Sequence, residues 1–175
     1  MRYRRANVPG ATYFFTVNLQ DRKSQLLTEN LDALRMAFRS VQQRYPFKII
    51  AMVVMPEHLH AIWEMPQGDV DFSLRWSLIK AAFSKALPKQ ENISSSRENK
   101  RERGIWQRRF WEHMIRDDDD LEKHVAYLHY NPVKHGHVDQ ASAWPYSSIH
   151  KFIAQGMLDV DWSDTARAID LPEFD

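Results

Sequence analysis

The stretch of sequence that decides the fold is Val53-Val54-Met55-Pro56-Glu57-His58-Leu59-His60-Ala61-Ile62-Trp63. Apolar residues dominate both sides of Pro56-Glu57, and the gap between the two apolar runs is short enough only for a tight turn. Residues 47–55 and 58–64 are therefore predicted to be neighbouring strands of a sheet that is at least partly antiparallel.

His58 and His60 lie two positions apart on the second of these strands. Side chains at this spacing point to one face of a strand, whereas Leu59 between them points to the other face. Two imidazoles on one face can hold a metal ion while Leu59 anchors the strand in a core. Taken alone, such a pair is more often two surface histidines or two hydrogen-bonded core histidines. Other segments of the sequence are therefore needed to tell a metal site from these alternatives.

A helix is predicted for the downstream segment from Asp120 to Pro132. Residues 117–120 are all acidic and supply an N-cap and a negatively charged first turn, and Pro132 and Gly136 are predicted to mark the end of the helix. Apolar side chains recur along it at helical spacing, at Leu121, Val125 and Leu128. This stripe predicts that the helix packs on the sheet.

Tyr127 and Asn131 lie one helical turn apart, on the shoulder beside the apolar stripe. If the stripe packs on the sheet that carries the two histidines, both side chains can face those histidines, whereas Tyr130 points away. Tyr127 is thus the candidate catalytic nucleophile, and Asn131 the candidate third metal ligand beside His58 and His60. The alternatives are that the tyrosine only packs against the core and that the asparagine only ends the helix.

These residue types suit transesterification at a phosphodiester. That reaction needs a nucleophile, a cation that offsets developing charge on the phosphoryl oxygens, and a scaffold that holds both in place. A divalent metal ion on His58, His60 and Asn131 would supply the cation, with Mg²⁺ or Mn²⁺ favoured over a closed structural zinc site. Tyr127 would then attack the phosphorus.

Several segments in a fixed order carry a resemblance to a known family. They are Tyr13-Phe14-Phe15-Thr16-Val17-Asn18-Leu19, Met55-Pro56-Glu57-His58-Leu59-His60, Trp106-Gln107-Arg108-Arg109-Phe110-Trp111-Glu112-His113, Tyr127-Leu128-His129-Tyr130-Asn131-Pro132-Val133-Lys134-His135-Gly136 and Trp144-Pro145-Tyr146-Ser147-Ser148. Together they resemble the REP-associated tyrosine transposases, a branch of the IS200-like, single-tyrosine HUH transposases, named for the histidine-hydrophobic-histidine motif. The resemblance covers most of the chain.

The resemblance implies an enzyme that cleaves and rejoins single-stranded DNA at REP hairpin elements of a bacterial genome, guided by a flanking tetranucleotide. A 5′-phosphotyrosine would form and a 3′-hydroxyl would leave, and the energy kept in the covalent link would make rejoining independent of ATP. Two alternatives from other classes stay open. One is a DNA-hairpin-binding module that does not cut, and the other is a metal-dependent phosphodiesterase that uses water.

The order of predicted elements is strand, helix, strand, strand, helix, strand, helix, which favours an α+β sandwich with helices packed on an antiparallel sheet. The resemblance narrows this to the ferredoxin-like fold of HUH endonucleases. Residues 1–175 are expected to form one domain, with a mobile basic loop at 89–103 and a C-terminal extension over about 140–175. Arg75 and Lys80 are interpreted as part of a solvated helix face.

Composition excludes some classes of protein. With 43% hydrophobic residues the chain can bury a core, and the complete lack of cysteine excludes disulfides and thiolate-bound metals. No signal peptide or long apolar run is visible, which predicts a cytoplasmic protein, associated with the nucleoid if the resemblance holds.

A DNA site has to come from local clusters of charge, because the net charge is only +1. Arg4 and Arg5 precede the first strand, and Arg108 and Arg109 adjoin aromatic residues in a mixture that suits unpaired bases. These four arginines are the candidate DNA contacts. The sequence leaves open whether the protein acts as a monomer or a dimer, with the monomer favoured.

Overall fold

The computed structural model describes residues 8–163 of the chain. Its strands are β1 (Thr12–Asn18), β2 (Lys48–Val54), β3 (His58–Glu64) and β4 (Trp111–Met114). Its helices are α1 (Leu26–Glu29), α2 (Leu31–Arg44), α3 (Phe72–Ala86), α4 (Ser95–Asn99), α5 (Asp118–Lys134) and α6 (Ile149–Ala154), with a 3₁₀ turn at Ala141–Ala143. None of the helices described is long and apolar enough to cross a bilayer.

The four strands form one antiparallel sheet in the order β2-β3-β1-β4. Because α2 lies between β1 and β2 in the chain and α3 lies between β3 and β4, the chain follows the β-α-β-β-α-β path of ferredoxin-like folds. The predicted α+β architecture is confirmed. So is the tight turn at Pro56-Glu57, where the Met55 amide donates to the His58 carbonyl oxygen at 2.8 Å.

Alternation along the strands divides the sheet into two faces. One face carries Phe15 and Trp63 and packs against α2 and α3 in the larger core, where Trp63 stacks on Trp76 with ring centroids 4.2 Å apart. The other face carries Phe14 and packs against α5. His60 lies on this second face, because β1 and β3 pair in a register that sets it opposite Thr16, two residues on from Phe14.

Helix α5 begins where the sequence predicts and ends later. The Asp117 carboxylate caps its start by accepting the backbone amide three residues on, at 2.8 Å. The helix continues through Pro132 to Lys134, so of the two residues predicted to mark its end Pro132 is wrong and Gly136 is confirmed. Proline gives up one helical hydrogen bond but keeps a helical φ. The end comes at Gly136, whose φ of +71° suits glycine and whose amide donates to the Val133 carbonyl at 2.9 Å.

Arg75 and Lys80 on α3 do not form a solvated face, which corrects the interpretation from sequence. Arg75 is only 2% exposed, and its guanidinium donates to the Asp69 carboxylate and to the carbonyls of Tyr45, Pro46 and Asp71. Lys80 donates to the Gln107 carbonyl at 3.0 Å, and burial lowers the pKa of Lys80 to about 8. Both side chains form hydrogen bonds that join α3 to neighbouring loops, because a buried charged group needs hydrogen-bond or ion-pair partners.

Residues 89–103, predicted as a loop, contain the short helix α4. Arg103 fastens this segment to the end of α3, because its guanidinium donates to the carbonyls of Leu87 at 2.8 Å and Pro88 at 2.7 Å. It also pairs with Glu91, and hydrogen bonding to Arg103 lowers the pKa of that carboxyl to about 2. The mobility expected for this segment stays a prediction.

The predicted C-terminal extension begins by covering the outer edge of the sheet. Within residues 144–148, the Tyr146 carbonyl accepts the Val54 amide and the Ser148 amide donates to the Met52 carbonyl, both at 2.8 Å. These bonds satisfy backbone groups of β2 that would otherwise form an open edge. The start of the extension therefore packs on the domain as an added edge segment.

Candidate active site

His58 and His60 lie side by side on β3, and both are fully buried. Their ring centroids are 4.9 Å apart, as the two-residue spacing on a strand predicts. Phe14 of β1 stacks on the His60 ring, with centroids 5.4 Å apart. The two imidazoles therefore share one face of the sheet and are held there by packing.

The Nδ1 atom of each histidine is engaged by a neighbouring side chain. His58 Nδ1 lies 2.8 Å from a Glu57 carboxylate oxygen, and His60 Nδ1 lies 2.9 Å from the Thr16 hydroxyl oxygen. Burial raises the pKa of Glu57, but the hydrogen bond and charge interactions with His58, together with Arg22, outweigh it and lower the pKa. The carboxylate can therefore accept a hydrogen bond from Nδ1–H, and this contact orients the His58 ring with Nε2 toward Asn131.

Asn131 reaches the His58 ring from α5 and is fully buried. Its Oδ1 lies 3.3 Å from His58 Nε2. When Nδ1–H of His58 donates to Glu57, Nε2 of the same ring presents a lone pair, and the amide oxygen also offers only lone pairs. A cation stabilises lone pairs so placed. The set of two imidazoles and one amide oxygen therefore fits a divalent metal ion.

Tyr127 lies one turn before Asn131 and is 2% exposed. Its ring meets His60 edge to face with centroids 5.4 Å apart, and it meets Phe14 in the same way at 6.0 Å. Tyr130 is only half-buried. The structure thus brings Tyr127 and Asn131 to the histidine pair as the helical wheel predicts, while the chemical roles of these residues stay predictions.

Two residues of the site were not selected from the sequence. Lys134 Nζ lies 3.4 Å from the Tyr127 hydroxyl oxygen, and the His135 ring lies 5.3 Å from the His58 ring. Both follow Pro132, the first of the two residues that were predicted to mark the end of the helix. The seven-residue spacing from Tyr127 to Lys134 is the signal that could have found the lysine, because it returns to the same side of a helix.

A second group of possible ligands is His113, Asp120 and His124, whose ligand atoms lie within 4.8 Å of one another. His113 Nε2 and Arg116 Nε lie 2.9 and 3.1 Å from one Asp120 carboxylate oxygen. Burial raises the pKa of Asp120, but these hydrogen bonds outweigh it and hold the pKa well below its usual range. His124 Nδ1 donates to the Asp120 backbone carbonyl at 2.7 Å, so that nitrogen does not offer a lone pair to a metal. The group is a hydrogen-bonded network at the start of α5.

Of the candidate DNA contacts, the structure describes Arg108 and Arg109, and Arg108 lies away from the histidine pair. Arg108 is exposed, pairs with Glu102 at 2.9 Å and lines a cleft of about 810 Å³ beside α3. Phe110 and Trp76, which belong to the larger core, also line this cleft, so it opens on the other side of the sheet. Arg109 is exposed. Arg4 and Arg5 lie outside the described residues.

A histidine-hydrophobic-histidine strand faces a helical tyrosine on one side of a ferredoxin-like sheet, as the resemblance to the HUH transposases predicts. The family model described as "Transposase IS200 like" matches residues 7–131. A REP-associated tyrosine transposase of Escherichia coli strain K12 is 47% identical over 161 residues, which cover 92% of this chain and 90% of that protein. A relative with the same family name, from Haemophilus influenzae, is 42% identical over 91% of this chain and 92% of its own length.

A solved structure of a REP-associated tyrosine transposase bound to a REP hairpin superposes on this chain with a TM-score of 0.82. The two are 47% identical, and the match covers 93% of this chain and 91% of the other. The chain belongs to the IS200-like transposase family, in the branch of the REP-associated tyrosine transposases. Membership makes the protein a transposase and implies that it uses a divalent metal ion.

Proposed function

We propose that this protein cleaves and rejoins single-stranded DNA at REP hairpin elements through a 5′-phosphotyrosine on Tyr127. The proposal rests on one observation. Tyr127 and Asn131 of α5 contact His58 and His60 of β3, although the two elements are far apart in the sequence. The relative of known structure is bound to a REP hairpin, which supports this class of DNA as the substrate.

His58, His60 and Asn131 would hold the divalent metal ion. Mg²⁺ or Mn²⁺ is proposed, because the set has no thiolate and three protein ligands would leave coordination positions for water and phosphate oxygens. When bound, the ion polarises a phosphoryl oxygen and offsets the charge that develops on it. The protein's own contribution is orientation, since Glu57 and Thr16 fix the Nδ1 side of each ring.

Tyr127 supplies the nucleophilic oxygen. Its ring is held edge-on by His60 and Phe14, so the hydroxyl direction is set before substrate arrives. Attack forms the bond from the tyrosine oxygen to phosphorus and releases a strand that ends in a 3′-hydroxyl. Burial of the site limits the access of water, which would otherwise hydrolyse the covalent link instead of allowing strand joining.

DNA recognition would combine the hairpin, its single-stranded flank and a guiding tetranucleotide. Arg4, Arg5, Arg108 and Arg109 are proposed to contact phosphates or unpaired bases. Arg108 lines the cleft beside α3, and we propose that part of the DNA binds in this cleft, away from the catalytic face. We propose a monomer as the acting unit, working on chromosomal DNA in the bacterial cytoplasm.

The function is tested by single-turnover cleavage of a REP-type hairpin oligonucleotide with a single-stranded flank, in the presence of Mn²⁺. A label at the 3′ end is expected to become attached to protein, and a label at the 5′ end to appear in a shorter fragment with a free 3′-hydroxyl. The same oligonucleotide with unpaired, scrambled arms is the control and should react far more slowly. Release of both fragments without an adduct would indicate hydrolysis by water, and binding without cleavage would indicate a binding module.

Thr16→Val is expected to slow cleavage and weaken the metal response. The substitution keeps the shape of a side chain that is fully buried but removes the hydroxyl that lies 2.9 Å from His60 Nδ1. Loss of a partner that orients a metal-binding histidine costs about 10- to 100-fold in metal affinity or activity. The loss of metal affinity is measured as a rise in the Mn²⁺ midpoint, the Mn²⁺ concentration at which the cleavage rate is half-maximal.

Thr16→Ser is the matched control, because it restores the hydroxyl, and it should keep a midpoint close to that of the wild type. A thermal melt of both variants separates this effect from unfolding. An unchanged Mn²⁺ midpoint in folded Thr16→Val would show that Thr16 does not orient His60.

A further inference from the structure

Lys134, in the last turn of α5, places its ammonium group at the Tyr127 hydroxyl. Its Nζ lies 3.4 Å from Tyr127 Oη and 5.0 Å from the centre of the tyrosine ring. The shorter distance to the oxygen puts the positive charge at the hydroxyl end of the ring instead of over its centre. The lysine is therefore placed to act on the phenolic oxygen.

Helix geometry explains this contact. Residues seven positions apart return to the same side of an α-helix after two turns. Long side chains in a helix also point back toward its N-terminus, so the lysine stem extends from position 134 toward position 127. The helix reaches Lys134 only because it continues past Pro132, which keeps the last turn in register with the tyrosine.

We propose that Lys134 is a further catalytic residue, which stabilises negative charge on the Tyr127 oxygen; this rests on the proposed function of Tyr127 as nucleophile. In cleavage, the bond from Tyr127 Oη to phosphorus forms and the bond from phosphorus to the 3′-oxygen breaks. The hydroxyl proton passes to solvent, and the 3′-oxygen takes a proton from solvent. In rejoining, a 3′-hydroxyl attacks and Tyr127 leaves. The ammonium group stays protonated throughout.

The phenolic oxygen carries developing charge in both directions, first as the attacking atom and then as the leaving atom. A fixed positive charge next to that atom lowers both barriers, because Tyr127 itself is only 2% exposed, although the lysine side chain reaches the surface. His58, His60 and Asn131 act at a different place, on the phosphoryl oxygen. Removing the lysine charge should therefore reduce the rates of both steps while the Mn²⁺ midpoint and the DNA affinity stay close to those of the wild type.

The test compares Lys134→Gln with Lys134→Arg in single-turnover cleavage and rejoining at saturating hairpin DNA and Mn²⁺. Lys134→Gln should lose about 100-fold in both rates, the size expected for removing one group that stabilises developing charge. Lys134→Arg keeps the charge and should stay within about 10-fold of the wild type. Lys123→Gln removes a lysine charge from the same helix, one that pairs with Asp119 at 2.9 Å, and should leave both rates unchanged.

Wild-type rates at saturation in Lys134→Gln, with only the DNA concentration needed for half-saturation raised, would overturn the proposal and make the lysine a DNA contact. Equal loss in Lys134→Arg and Lys134→Gln would also overturn it, since charge would not be the cause. If Lys134→Gln does not fold, Lys134→Ala replaces it under the same criteria. Failure of the wild type itself to form an adduct would overturn the proposed function instead, so the two failures are distinct.

Discussion

Tyr127→Phe is expected to abolish both strand cleavage and the covalent protein–DNA adduct, with a loss in rate of at least about 10,000-fold. The substitution removes a single oxygen atom, the one that would form the bond to phosphorus. The phenylalanine ring can keep the edge-on contacts with His60 and Phe14, so the fold and the surface offered to DNA should persist. Cleavage under single-turnover conditions and hairpin affinity, measured on the same preparation, give the two readouts.

Tyr130→Phe is the matched control, because it removes the same atom from a tyrosine on the same helix. Tyr130 is half-buried and lies three positions on, and the ring that meets His60 is that of Tyr127. This variant should cleave and form an adduct as the wild type does. A surviving adduct in Tyr127→Phe, or equal loss in both variants, would contradict the assignment of Tyr127 as nucleophile.

His58→Ala and His60→Ala are each expected to reduce cleavage by about 100-fold or more, because a metal site cannot hold a divalent cation well with one of its imidazoles removed. Asn131→Ala should cost less, since water can replace an amide oxygen as a ligand. The measurement is cleavage rate against Mn²⁺ concentration. In all three variants the midpoint should rise, and in the histidine variants the rate at saturation should also fall.

His113→Ala is the control for the metal prediction. It removes an imidazole from the other group of possible ligands, the one built around Asp120, and leaves the pair on β3 intact. Its Mn²⁺ response should match that of the wild type. A shifted midpoint in His113→Ala, together with an unchanged one in His60→Ala, would place the catalytic metal in the network at the start of α5.

The central geometry of the site followed from two simple periodicities. The two-residue repeat of a strand put His58 and His60 on one face, and the helical repeat put Tyr127 and Asn131 on one side of α5. Both patterns are local, so they can be read without knowing what the elements pack against. The turn at Pro56-Glu57 likewise fixed the antiparallel pairing of β2 with β3.

Features that depend on distant partners were not predictable in this way. Thr16 meets His60 only because of the register between β1 and β3, which nothing in either strand specifies alone. Arg75 is buried because backbone carbonyls from the loop after α2 reach it, and a wheel of α3 cannot show them. Lys134 was missed because a proline usually ends a helix, whereas this helix continues through Pro132 and ends just before Gly136.

Identification of the amino acid in the adduct tests the central claim most directly. The wild-type protein would be trapped on the hairpin oligonucleotide with Mn²⁺, digested with nuclease and trypsin, and sequenced by tandem mass spectrometry. Cleavage after Lys123 and Lys134 releases a peptide that contains both Tyr127 and Tyr130, and its fragment ions distinguish them. We expect the mass of a 5′-linked nucleotide on Tyr127. That mass on Tyr130 or elsewhere, or cut DNA beside an unmodified peptide, would contradict the proposed mechanism.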